Sequence, residues 1–201
     1  MLADITSNFY SLIVGALFML TLYHLLLYVQ HRKTNYLLYS IYMLCLAMYV
    51  FGTNFQHYFG RQLTYYNGTF LFVGIGTYLQ LARSVVQTAT YMPKIDHLIK
   101  KASYVICIIG VLFPIIPMVF GYQTFIHVYD ALAVILAIIS IYFYVHLFRV
   151  KTIYAQYFLT GSLFYFICSM IVLFGGIFIG SKNFRELFGF EILLISLDDW
   201  L

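Results

Sequence analysis

The chain has 201 residues, 63% of them hydrophobic and 9% charged, with a formal charge of +4 from 11 Lys and Arg against 7 Asp and Glu and a mean hydropathy of +0.91. Soluble domains carry roughly 25% charged residues, so this composition excludes a soluble enzyme or binding domain and leaves a polytopic membrane protein. The basic residues lie singly or in pairs in loops, which excludes a nucleic-acid patch, and the length leaves room for six or seven spans without a second folded domain.

Residues 9–30 (FYSLIVGALFMLTLYHLLLYVQ) form a run without formal charge, long enough as a helix to cross a hydrocarbon core of roughly 30 Å. A soluble core helix would show a polar face with the helical period, and neither this run nor the next, 36–55, has one. The two runs are predicted to form a hairpin around His31, Arg32, Lys33 and Thr34, with Arg32 and Lys33 toward the cytoplasm. The lead before the first run carries Asp4 and no Lys or Arg, placing the amino terminus outside, and no positive region precedes the run as a cleavable signal requires.

Residues 63–82 read as a third, weaker span diluted by Thr64, Asn67, Thr69, Thr77 and Gln80. The longest polar segment, 83–101, follows on the inner side with Arg83, Pro93, Lys94, Asp96, Lys100 and Lys101. The fourth span, 102–120, is expected to kink at Pro114 and Pro117, each of which removes a backbone donor. The fifth, 128–148, carries Asp130 near its outer end, and the sixth covers 153–180. The last apolar run, 187–197 (LFGFEILLISL), holds Glu191 and is too short to cross alone. The expected fold is an all-α polytopic transmembrane helical bundle, six full spans plus a partial seventh, in one membrane domain over 1–201. On this map eight basic residues lie inside and three outside, as the positive-inside rule asks.

Cys45, Cys107 and Cys168 each fall within an apolar run without CxxC or Cys/His spacing, the pattern of buried free thiols rather than a disulfide framework or zinc site. Glu191, Asp130 and His127 are the candidate ligand-binding residues. An acidic group in a span is costly unless paired, protonated or interfacial, and Glu191 and Asp130 would make an acidic mouth if they shared an outer vestibule. The alternative is a pair of interfacial carboxylates reaching water. His24, His127 and His146 invite a metal or haem reading, against which stands a histidine hydrogen-bonded inside a bundle; no metal and no cofactor are expected. Gly176 and Gly180 have GxxxG spacing, which suits a homodimer, although among 13 glycines chance spacing or internal packing accounts for it at least as well.

Four fragments in order resemble the seven-helix membrane module of bacterial receptors with diverse intracellular signalling modules. They are GALFMLTLYHLLLYVQHRKTNYLLYSIY (15–42), LARSVVQTATYMPKIDHLIK (81–100), AQYFLTGSLFY (155–165) and FEILLISL (190–197). The resemblance implies a sensor domain before the first helix and a cytoplasmic output domain after the seventh, such as a histidine kinase, a cyclic-dinucleotide enzyme or a DNA-binding module. It breaks at Asp198, where the seventh helix should continue, so a truncated or split receptor is expected.

The expected function is therefore signal relay in a bacterial inner membrane, without a catalytic constellation of its own. The expected partners are the lipid bilayer, a cytoplasmic kinase or regulator, and a second copy of the chain, with no nucleic acid among them. The alternative is a small transporter or channel, which would want inverted repeats, broken helices and polar residues at the midplane; only the two prolines and the polar third span point that way.

Overall fold

In a computed structural model of the chain, residues 2–54, 61–150, 152–153, 155–163 and 167 are described. All regular structure among them is helical. The helices are α1 (Leu2–His31), α2 (Thr34–Asn54), α3 (Arg61–Val86), the single turn α4 (Thr88–Tyr91), α5 (Pro93–Leu112), the short α6 (Ile115–Phe120) and α7 (Tyr122–Leu147). Among the described residues, four stretches are long and apolar enough to cross a membrane: Ser11–His31, Thr34–Gly52, Tyr65–Val86 and His127–Leu147. They correspond to the predicted first, second, third and fifth spans. Most of the sixth span, the seventh run and Glu191 lie outside the described residues.

The chain divides into two compact units, Met1–Ile138 and Ile139–Leu201. In the first, α1, α2, α3 and α5 pack each against the next. The α1–α2 hairpin closes at Arg32, whose left-handed backbone (φ 55°) lets its N–H reach Tyr28 O at 2.7 Å, the way helices commonly end. Along the hairpin, Ser40 Oγ donates to Thr21 O at 3.0 Å, while the Thr21 hydroxyl turns back to Leu17 O at 2.8 Å. Leu17, Met43, Val50 and Phe72 form the buried centre of α1, α2 and α3.

α3 and α5 run antiparallel at close range because glycines line the contact. A Cβ built on Gly110 would stand 2.9 Å from Phe72 Cβ and 3.1 Å from Val73 N, and one on Gly76 would stand 2.9 Å from Ser103 O. Where apolar helices have no water to exclude, such backbone approach supplies the van der Waals contact that holds them.

The predicted fourth span is broken, and the break follows from proline chemistry. Pro114 has no N–H to give Gly110 O, so Phe113 N–H donates to that carbonyl instead, at 3.3 Å, and α5 ends. Pro117 cannot reach Phe113 O, which accepts from Ile116 N–H at 3.2 Å. α6 then runs to Gly121, whose φ of 84° separates it from α7. Phe113, at the break, is fully buried against Gly68, Phe72 and Phe125. Pro114→Ala restores one donor to Gly110 O and is expected to join α5 to α6. Hydrogen exchange at the neighbouring amides of Phe113, Ile115 and Ile116 should slow about fivefold, the equivalent of one net hydrogen bond of about 1 kcal/mol.

In the second unit the end of α7 closes through Phe148 N–H to Tyr144 O at 3.0 Å and Val150 N–H to Leu147 O at 3.0 Å. Residues 155–163 are helical, with Ala155 and Leu159 buried.

Candidate functional site

A cluster of polar residues of the first unit lies where α3 ends and α5 begins. Gln80, Arg83 and Ser84 occupy one face of the last turns of α3, at helical neighbour spacing. Gln87 takes a left-handed backbone (φ 54°, ψ 45°), α4 makes one turn, and Met92 (φ −147°, ψ 71°) hands the chain to Pro93 at the start of α5, a position where proline loses no bond. This reversal sends α5 back along α3. Its buried face carries Asp96, Ile99, Ser103, Ile106 and Gly110.

Asp96, only 8% exposed, receives Arg83 Nε at 2.5 Å and the hydroxyl of fully buried Thr88 at 2.6 Å, both on Oδ1. Arg83 Nη1 donates to Gln80 Oε1 at 3.2 Å, Gln80 Nε2 donates to Ser103 Oγ, and the Ser103 hydroxyl donates to Lys100 O at 2.9 Å. The chain of bonds therefore crosses from α5 to α3 and back. Ser84 Oγ donates to Asn35 Oδ1 at 2.5 Å, tying the start of α2 to the same end. Arg32, Lys33, Arg83, Lys94, Lys100 and Lys101 consequently gather at one end of the first unit.

Burial alone would push the Asp96 carboxyl up. The bonds from Arg83 and Thr88, with the charges of Arg83 and Lys100, outweigh it and hold the carboxyl below its ordinary value. The carboxylate stays ionised at neutral pH, as a group one helical turn into an N-terminus with an opposite charge beside it should. The arrangement is a charged joint between two helices, and sliding α3 along α5 would have to break its bonds together.

The residues singled out from sequence lie elsewhere. Asp130 is half-buried and His127 exposed on the first turns of α7, one helical turn apart. They neighbour an aromatic group in which Phe113 meets Phe125 at 5.1 Å and Tyr129 at 6.1 Å between ring centres, and Tyr65 meets Phe125 at 6.0 Å. This is the end opposite Arg83, because α3 starts beside it. Glu191, their proposed companion, lies outside the described residues. His24 places Nδ1 2.9 Å from Leu20 O and its ring 4.1 Å from Tyr39. His146 does the same on its own helix, with Nδ1 2.8 Å from Tyr142 O. No group of three or more His, Cys, Asp or Glu assembles among the described residues.

Sequence reading missed the Arg83–Asp96 joint, although a signal was present. Asp96 sits in register with Ile99, Ser103, Ile106 and Gly110, the buried stripe of α5, and an acid in an apolar stripe needs a partner. Arg83 closes the preceding span.

No curated protein and no solved structure matches the chain. The family model described as 7TM diverse intracellular signalling matches residues 7–197, from within the first helix to the end of the last apolar run. The 201-residue chain belongs to the 7TM diverse intracellular signalling family.

Proposed function

We propose that the chain is the membrane module of a bacterial receptor-like signalling protein, seated in the inner membrane with its amino terminus outside. A stimulus at the Asp130 and His127 end biases two packings of the bundle. The Arg83–Asp96 joint passes the change to a cytoplasmic output, a kinase or regulator, without a catalytic step in this chain. The observation that carries this reading is the joint itself: a part-buried ion pair, reinforced by Thr88 and Gln80, linking helices that meet again at the Phe113–Pro114 break. Polar networks of this kind select between discrete packings rather than yielding by degrees.

Spin labels at exposed Lys33 and Lys94, in proteoliposomes, test it by double electron–electron resonance. Two distance populations are expected, with a ratio that Asp96→Asn shifts by at least about threefold, the effect of weakening one charge-assisted bond. One population, unmoved by that substitution, would sink the relay. Neutral replacement of Asp130 and His127 should leave the ratio unchanged without stimulus and abolish its response. The broken helix at Pro114 favours a transporter as the second reading, and solute uptake into the same vesicles would select it.

A further inference from the structure

The face of α5 turned away from α3 has a two-part character that the relay does not use. Lys94, Leu98 and Lys101 lie on it at helical spacing, then Val105, Ile108 and Leu112, and all six are exposed. Its opposite face holds Asp96, Ile99, Ser103, Ile106 and Gly110, buried against α3. One stripe therefore runs from two ammonium groups at the basic end into an uninterrupted apolar track, with Val105, Ile108 and Leu112 each more than half exposed.

The dimensions identify the occupant. From Lys101 to Leu112 a helix rises about 16 Å at roughly 1.5 Å per residue, which is half of a hydrocarbon core of roughly 30 Å. A charged head and a tail one leaflet long describe a glycerophospholipid, and the sign of the head makes it anionic. Lysine stems lie along apolar surface while their ammonium groups reach the headgroup level, so Lys94 and Lys101 can hold one phosphate from above the acyl chain. Tyr91 and Tyr104, both exposed close to these lysines, are the aromatic residues expected at that depth.

We propose that this face of α5 is a binding site for one anionic phospholipid, phosphate on Lys94 and Lys101, acyl chain along Val105, Ile108 and Leu112. The site needs only that α5 stands in a bilayer, so it holds or fails independently of signal relay.

The test is native mass spectrometry of the full chain in mild detergent with equal phosphatidylglycerol and phosphatidylcholine. The wild type should retain the anionic lipid with about thirtyfold preference, the gain from two lysines beside a negative headgroup. Lys94→Gln with Lys101→Gln should bring the ratio near one while phosphatidylcholine still binds, and Arg32→Gln with Lys33→Gln should leave the preference intact. Photoactivatable phosphatidylglycerol, reacted with the unaltered chain, should label residues within 94–112. Equal retention of the two lipids by the wild type, loss of preference only in the Arg32/Lys33 variant, or labelling confined to other helices would each overturn the proposal.

Discussion

Arg83→Ala should lower the unfolding free energy by about 3 kcal/mol, the cost of leaving a buried carboxylate without its partner. The low end of the range for buried pairs applies because the Arg83 side chain keeps 26% of its surface exposed, against 12% for Asp96. The loss falls on Asp96, which retains Thr88 but no opposite charge at hydrogen-bond distance, and on Gln80, which loses the donor to its Oε1. Arg83→Met combined with Asp96→Leu should recover most of the stability, because no uncompensated charge is then buried. Titration with a denaturing detergent, followed by circular dichroism, measures both variants. If the double variant is as unstable as Arg83→Ala, the pairing is not the source of the loss.

The same pair fixes the sign of the pH dependence. The Asp96 carboxyl lies below its ordinary value in the folded protein, so its contribution is complete above the unfolded carboxylate pKa, near 3.9. It disappears as pH falls through the lower folded value. The wild type is expected to lose stability in acid below about pH 4. In Asp96→Asn that part of the acid loss should be absent, with a lower plateau at neutral pH.

Gly76→Val should cost about 2–3 kcal/mol by overpacking. A Cβ at Gly76 would meet a backbone oxygen, Ser103 O, at 2.9 Å as well as overlap Cys107 Sγ. The sulfur can turn aside, but the carbonyl moves only if α5 moves. Separation of α3 from α5 would also loosen the Gln80–Ser103 bond one turn away. Gly15 provides the contrast, since nothing lies within 4 Å of a Cβ built there. Gly15→Ala should be neutral or stabilising by up to about 1 kcal/mol, through the lower entropy cost of alanine in a helix. Unfolding curves of the two variants in one detergent compare them directly, and equal destabilisation would mean that the close approach of α3 and α5 does not limit the fold.

Most of the helical frame was legible because it rests on local properties. The apolar runs at 9–30, 36–55 and 128–148 are α1, α2 and α7 to within a few residues, apart from the longer starts of α1 and α7. The diluted third run is also one helix. Two of its polar residues show how such a run is accommodated: Thr77 bonds to Val73 O and Gly74 O on its own helix, and Gln80 joins the charged joint. The prolines predicted a disturbance in the fourth span, and the backbone bonds show it to be a complete break, because Pro114 and Pro117 silence two donors three residues apart. The polar segment 83–101 was read for its charge, yet it is almost wholly helical. Pro93 starts a helix as readily as it ends one.

The sequence by itself determined that this is an all-helical membrane chain with a basic turn after its first helix, since a bilayer admits few other solutions for uninterrupted apolar runs. It determined where the fourth span must bend, because proline carries that instruction within one residue. Only the tertiary structure decided that Arg83 meets Asp96, Gln80 meets Ser103 and Asn35 meets Ser84. Those pairs depend on the reversal at Gln87 and Met92 and on the depth to which Gly76 and Gly110 let two backbones approach. Register between helices is set by three-dimensional contact, and a linear pattern of apolar residues fits several registers equally well.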